Sequence, residues 1–536
     1  MPEARRNVDV VVVGAGFAGL YMLHKLRTEG FSAQVFETGD GVGGTWYWNR
    51  YPGARCDVES MEYSYGFDED LEQEWEWTER YAPQPEILDY ANHVADRFDL
   101  RRDIQFETRV TSATFDEATN RWGVGTDQGD DLSAQFLVMA TGCLSSTNIP
   151  EIEGADSFTG PTFHTGKWPH EGVDFTGQRV GVIGTGSSAV QSIPIIAEQA
   201  LELTVFQRTA SFAVPAWNQP LDPADVKSLK AEYQTLREEQ RQMPTGFGSR
   251  IDRGDGSALE ATPEELETEL ERRWEYGGLS FLGAYNDLLL DKAANDLAAD
   301  FVRRKLRQIV HDPEVADKLT PSQVVGCKRL CVDTGYWATF NRANVHLVDL
   351  RDDPIEAITP AGIRTASGEH ELDALIYATG FDAMTGALLR VAITGRDGVT
   401  LQDAWAAGPR TYLGLGVAGF PNLFTITGPG SPSVLTNMLV SIQQHVEWIT
   451  GCVRHLRDND LATIEATEPA QDAWVDHVNS VAGFTLFPTC NSWYLGANVP
   501  GKTRVFMPLP GFPPYAEQCE HVARAGYEGF ALAAHP

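Results

Sequence analysis

At 536 residues the chain exceeds the ~250–300 at which a single core stops growing, so two or more domains are expected. Apolar residues at 42% and charged residues at 22% exclude disorder on the scale of a domain. The formal charge of −33 sets this surface against a nucleic-acid backbone, so any anionic ligand must be met by local helix N-termini and single Arg or Lys side chains. Seven scattered cysteines, an odd number, predict reduced thiols in a cytoplasmic protein. Cys327 and Cys331 lack the spacing of a paired metal site, so no metal is expected. No apolar run is long enough for a membrane anchor.

In chain order, Arg5 and Arg6 precede an apolar run from Val10 to Leu23 that has the outline of a signal peptide. Three glycines interrupt it and no A-x-A site follows, so it reads as part of the mature fold. Val8 to Val13 predicts a buried parallel strand, and Gly14, Gly16 and Gly19 follow in G-x-G-x-x-G order. The first glycine permits a tight turn, the second admits a pyrophosphate, and the third lets helix and strand pack closely. A helix is expected from Phe17 to Glu29, stopped at Gly30, then a strand from Gln34 to Phe36. Glu37, 23 positions after Gly14, is placed to accept from a ribose hydroxyl.

The pattern recurs downstream. Phe136 to Gly142 reads as a buried strand ending in a turn. Arg179 to Ile183 is a second glycine-turn strand, followed by Gly184, Gly186, Ser187 and, in the third place, Ala189. Pro194 predicts a kink in the helix beyond. The next strand, Leu203 to Phe206, leads to Gln207, Arg208 and Thr209 with no acid. A guanidinium there suits a 2′-phosphate, although a solvated surface charge would look the same. The first turn therefore reads as an FAD site and the second as an NADPH site. From about Asp222 to Thr320 the texture turns helical, as in Glu264 to Trp274 and Lys292 to Val310. Leu375 to Asp382 repeats the strand-and-turn theme.

These signals predict an α/β fold with two Rossmann-like dinucleotide-binding domains and a helical insertion in the second. The expected division is 1–143 with 381–536 for FAD, 144–221 with 321–380 for NADP, and 222–320 for the insertion.

Between the two glycine turns, Phe158, Gly160, His164, Trp168 and Pro169 spell F-x-G-x-x-x-H-x-x-x-W-P. This motif and its position resemble the fingerprint of the type I Baeyer–Villiger monooxygenases. Further likeness runs along nearly the whole chain. Gly43, Gly44, Thr45 and Trp46, continuing through Tyr51 to Asp57, resemble the family's flavin-side loop. The run Trp46 to Asp57 and the run Trp405 to Leu413 look like the phenylacetone and steroid monooxygenase branch.

The resemblance implies that NADPH-reduced FAD captures O2 as a peroxyflavin, which attacks a small-molecule ketone (linear, aryl, cyclic or steroid) and yields an ester or lactone. It carries the active-site arginine to Arg329, where a permanent cation would stabilise the anionic species, and makes Asp57 the acid that orients it. It places Lys328 with Arg208 and Thr209 on the 2′-phosphate, and Trp493 over NADP. It makes His164 a coupling between domains rather than a catalyst, and Gln84 with Pro85 a nicotinamide-contacting hinge. Val58, Cys143, Leu144, Val434, Leu435, Thr436 and Met438 are expected near the substrate. Cys143 and Cys327 depart from close relatives, and Cys143 is expected as an apolar liner without an activating neighbour. The expected assembly is a monomer or weak homo-oligomer. An N- or S-oxygenating flavin monooxygenase is the alternative. A disulfide reductase would need a partner for Cys56 beside the flavin, and none lies near in sequence.

Overall fold

The computed structural model describes residues 6–535, so Arg5 lies outside the described residues. Valines at every position from Val10 to Val13 demand a strand buried on both faces. Strand Arg6–Val13 sits accordingly inside an eight-stranded sheet. Val10 and Val12 join a core with Leu20 and Leu23 of helix Phe17–Thr28, while Val11 and Val13 join a second core on the opposite face. Arg6–Val13 pairs in parallel with Ala33–Phe36 on one side and Asp131–Met139 on the other. The latter turns back antiparallel to Arg121–Thr126, which pairs antiparallel with Val110–Asp116. Chain from far downstream completes this sheet: Leu423–Thr425 runs parallel to Leu137–Met139, and Ala392–Thr394 pairs with Val110–Asp116.

The second sheet has five strands, all parallel, in the spatial order Val345–Asp349, Glu202–Gln207, Arg179–Ile183, Ala374–Tyr377 and Thr162–His164. Helix Ser187–Gln199 contains Pro194 within its span. The proline forfeits one backbone bond, but Ile193 and Ile196 beside it are fully buried in the core and hold the helix in register. The expected helical stretch consists of Pro223–Ala231, Tyr233–Gln242, Pro263–Tyr276, Lys292–Ile309 and Pro313–Leu319. Its helices divide between two cores. Tyr233 and Leu236 pack with the first sheet, whereas Leu270, Trp274, Ala298 and Val302 pack with the second. Among the described residues, no helix is long and apolar enough to cross a membrane.

Two of the turn glycines, Gly14 and Gly19, are explained by steric demand. Gly14 has φ +105°, and a Cβ there would stand 2.7 Å from the Ala140 carbonyl oxygen. A Cβ on Gly19 would stand 1.8 Å from the Gly14 carbonyl oxygen, whereas one on Gly186 meets nothing within 4 Å. Thermal denaturation should separate them. Gly19→Ala is expected to lose at least the ~1–3 kcal/mol typical of overpacking, while Gly186→Ala melts like the parent. Equal midpoints for all three proteins would refute the packing role of Gly19.

Candidate active site

The two glycine turns open into one cavity of about 980 Å³. On the first side, the Ala15 and Gly39 N–H groups donate to the two oxygens of Glu37, at 2.8 and 2.9 Å. Burial raises the Glu37 pKa, and those backbone donors oppose the rise. Each carboxylate oxygen keeps a further lone pair, so Glu37 locks the turn and still faces the cavity. The Trp46 indole donates to the Tyr63 hydroxyl at 3.1 Å, and both residues line the wall.

On the second side, Gly184 has φ +117° and its amide donates to Phe206 O. Gly186 and Ser187 stand at the N-terminus of helix Ser187–Gln199, where free N–H groups attract an anion. A Cβ on Gly186 would meet nothing within 4 Å, so the turn is open at this point. Arg208 and Lys328 line the same region, with Thr209 beside them. Burial lowers the Lys328 pKa and the neighbouring Arg208 cation lowers it further. Neither cation has a carboxylate partner among the described residues. The two cations therefore form an uncompensated anion site.

Between the two sides stands Arg329. Its Nε and Nη2 donate to the two carboxylate oxygens of Asp57, both at 2.8 Å, in a bidentate pair. A third bond runs from Nη1 to Val434 O at 3.2 Å. Burial would lower the guanidinium pKa, but Asp57 outweighs it and the net shift is upward. The side chains retain 21% and 25% exposure, and both line the cavity. Asp57 is fixed by the Tyr51–Arg55 loop, which is clamped to helix Ser187–Gln199 by Gln191. That amide accepts from the Tyr51 hydroxyl at 2.8 Å and donates to Arg55 O at 3.1 Å.

Gly14, Gly16, Gly44, Val58, Cys143, Leu144, Val434, Thr436, Met438 and Trp493 also line the cavity. Leu435 does not; it packs into the apolar cluster of Phe487, Tyr494 and Phe506. It lies in the 3-10 turn Ser433–Leu435, where successive side chains diverge by roughly a third of a turn. Val434 belongs to the same cluster and also reaches the cavity wall. The Thr436 hydroxyl is buried without a partner, beside the cavity. Burial pushes the Cys143 thiol up to about 11, which keeps it protonated and inert. Gln84 does not line the cavity; its amide donates to Trp46 O at 2.5 Å.

The five fixed residues of the F-x-G-x-x-x-H-x-x-x-W-P motif lie outside the cavity wall, although Gly166 and Lys167 between them line it. His164 is buried, accepts from Gly166 N at 2.9 Å through Nδ1, and stands 3.4 Å from the Thr379 hydroxyl through Nε2. Burial pushes its pKa down to about 4, so it is neutral. A Cβ on Gly160 would stand 2.5 Å from Asp373 O. Trp168 packs on Phe163 and Phe175. The motif joins the second sheet to the Thr379–Asp382 turn.

One expectation is overturned. Cys327 and Cys490 form a disulfide, so the cysteines are not all reduced; the other five are free and buried. A separation of 163 residues gave no sequence signal for the pairing. Sequence reading also missed Phe247, whose ring lies 5.8 Å from the Arg329 guanidinium carbon. Its loop is held by Glu62, whose buried carboxylate accepts from Gly248 N, Ser249 N and the Ser249 hydroxyl. Among the described residues no cluster could hold a metal ion.

A family model of pyridine nucleotide-disulphide oxidoreductases matches residues 11–250. A Baeyer-Villiger monooxygenase of Pseudooceanicola batsensis is 45% identical over 526 residues, covering 97% of this chain and 95% of that one. A phenazine N-monooxygenase of Lysobacter antibioticus is 42% identical over 537 residues, covering 99% and 98%. Among solved structures, an oxidized steroid monooxygenase bound to NADP matches with a TM-score of 0.94 and 54% identity, covering 98% of this chain and 99% of that one. With such identity sustained over almost the entire length, on a fold whose two glycine turns share one arginine-bearing cavity, the chain belongs to the Baeyer–Villiger monooxygenases.

Proposed function

We propose that the chain is an FAD-containing, NADPH-dependent monooxygenase that inserts one oxygen atom of O2 beside a ketone carbonyl, giving an ester or a lactone. The observation that carries this reading is the bidentate Arg329–Asp57 pair in the wall of the cavity shared by both glycine turns. Bound FAD, reduced by NADPH, supplies the activated oxygen. The chain supplies position and charge. Gly14, Gly16, Gly19, Glu37, Gly44 and Trp46 hold FAD. Gly184, Gly186 and Ser187 receive the NADP pyrophosphate, and Arg208, Thr209 and Lys328 its 2′-phosphate. Residues 1–143 with 381–536 form the FAD unit, 144–221 with 321–380 the NADP unit, and 222–320 the insertion.

Arg329 keeps its charge at any working pH and stands where negative charge builds on the ketone oxygen. Asp57 fixes the guanidinium plane. Trp493 closes over the nucleotide and keeps water from the reacting atoms. Val58, Cys143, Leu144, Val434, Thr436 and Met438 shape the ketone pocket, with Leu435 behind them. His164 couples the two nucleotide units. We assign the protein to the cytoplasm as a monomer or weak homo-oligomer.

A second reading, heteroatom oxygenation, is favoured by the likeness to a phenazine N-monooxygenase across almost the full chain. Product analysis of the purified enzyme with NADPH, labelled O2, a ketone panel and a phenazine distinguishes the two. An N-oxide without any ester would overturn the ketone assignment.

Arg329→Ala should still oxidise NADPH but lose on the order of 10²–10³ or more in ester formation. Wild-type ester yield from it would remove Arg329 from the reaction. Arg208→Ala should raise KM for NADPH while leaving NADH kinetics alone, and an unchanged preference would reject the 2′-phosphate role. Asp57→Ala should slow oxygenation through a misplaced Arg329; parental kinetics would leave Asp57 a turn residue only.

A further inference from the structure

The one disulfide joins the two segments that bear Arg329 and Trp493. Cys327 precedes Arg329 by two residues and lines the cavity; Cys490 precedes Trp493 by three. From Cys490 the chain crosses the cavity, contributing Asn491, Trp493, Ala497 and Asn498 to its wall. The far end of this strap is fastened without help from sulfur. The Asn498 amide donates to Phe381 O at 2.6 Å, and Lys502 pairs with Asp382 and donates to Ala383 O at 2.9 Å. At the near end, Leu486 N donates to Leu289 O at 2.8 Å. Among the described residues, no hydrogen bond or ion pair joins 487–495 to 326–329. Among the described residues the sulfur bridge is the one bond that fastens the strap to the arginine loop, beside packing and the proximity of Tyr494 to Arg329. Cys490 is only half-buried and open to reagents from solvent, and Cys327 is open to the cavity.

We propose that Cys327 and Cys490 form a reversible redox site that fastens the Trp493 strap over the nucleotide, closed by hydrogen peroxide and opened by a dithiol. This rests on the reading of Trp493 as the residue that closes over NADP. In closing, the two thiols give up two electrons and two protons; the S–S bond forms, the O–O bond of H2O2 breaks, and two waters leave. The oxidant is the product of turnover without a ketone: NADPH, a proton and O2 give NADP+ and H2O2. Opening is thiol–disulfide exchange, with the dithiol attacking the more accessible Cys490 sulfur and its second thiol releasing the mixed disulfide. A strap tied at both ends releases NADP+ slowly, so oxidation throttles NADPH consumption when no ketone is present.

The test uses the holoenzyme after hydrogen peroxide or after dithiothreitol. Peptide mass spectrometry should find the Cys327–Cys490 linkage in the first sample and two free thiols in the second. Dithiothreitol should raise the NADP+ dissociation constant by roughly tenfold, equivalent to ~1.4 kcal/mol. The double variant Cys327→Ser with Cys490→Ser should bind like the reduced parent and ignore both reagents. A missing linkage after peroxide, or equal NADP+ affinity in both states, overturns the proposal. Trp493→Ala separates the two ideas. If it binds NADP+ as tightly as the parent, the reading of Trp493 fails; if it binds weakly while the parent shows no redox response, only the sulfur site fails.

Discussion

The Arg329–Asp57 ion pair is the constraint around which the rest of the molecule is arranged. Asp57 follows the first glycine unit, and Arg329 lies 272 residues further along the chain. Their bond therefore forms only when both sheets and the segment between them are in place. Its two partners are mostly buried, so neither is stable alone. Breaking a buried pair from one side costs ~3–5 kcal/mol, and residual exposure of 21% and 25% puts this one toward the lower end. The same pair that fixes the guanidinium thus also fastens two distant segments of the chain.

Around that pair the charge is distributed against the average. The chain carries −33 overall, yet Arg208, Lys328 and Arg329 converge on one cavity, and only the last has an acid beside it. That wall carries a local positive field suited to an anion, while the acidic exterior discourages polyanions. The depressed pKa of Lys328, caused by burial and by Arg208, expresses the cost of leaving this anion site without a carboxylate.

Much of this was legible in the chain. Both glycine turns were readable because each steric demand writes a glycine: Gly14 abuts the Ala140 carbonyl and Gly184 the Ala378 carbonyl. The strand valines and the helices near Glu264 and Lys292 were readable from hydrophobic period. Arg329 and Asp57 were readable only through family likeness, since nothing local pairs residues so far apart. The Cys327–Cys490 bridge was illegible for the same reason. Phe247 was hidden in a stretch that reads as helix, although its loop is shaped by tertiary bonds to Glu62. Leu435 packs into the apolar cluster behind the cavity wall, a placement set by the 3-10 turn Ser433–Leu435 that composition does not encode.

Gln191 of helix Ser187–Gln199 is the joint between the second glycine turn and the loop before Asp57. One amide on that helix accepts from Tyr51 and donates to Arg55, both in the segment that sets Asp57. A Cβ on neighbouring Gly53 would stand 2.4 Å from the Gln191 carbonyl oxygen, so that joint has no slack. Chimeras that graft the nucleotide half of one relative onto the flavin half of another must therefore transplant this glutamine and its glycine seat together. Otherwise the graft keeps both clefts and loses their mutual alignment.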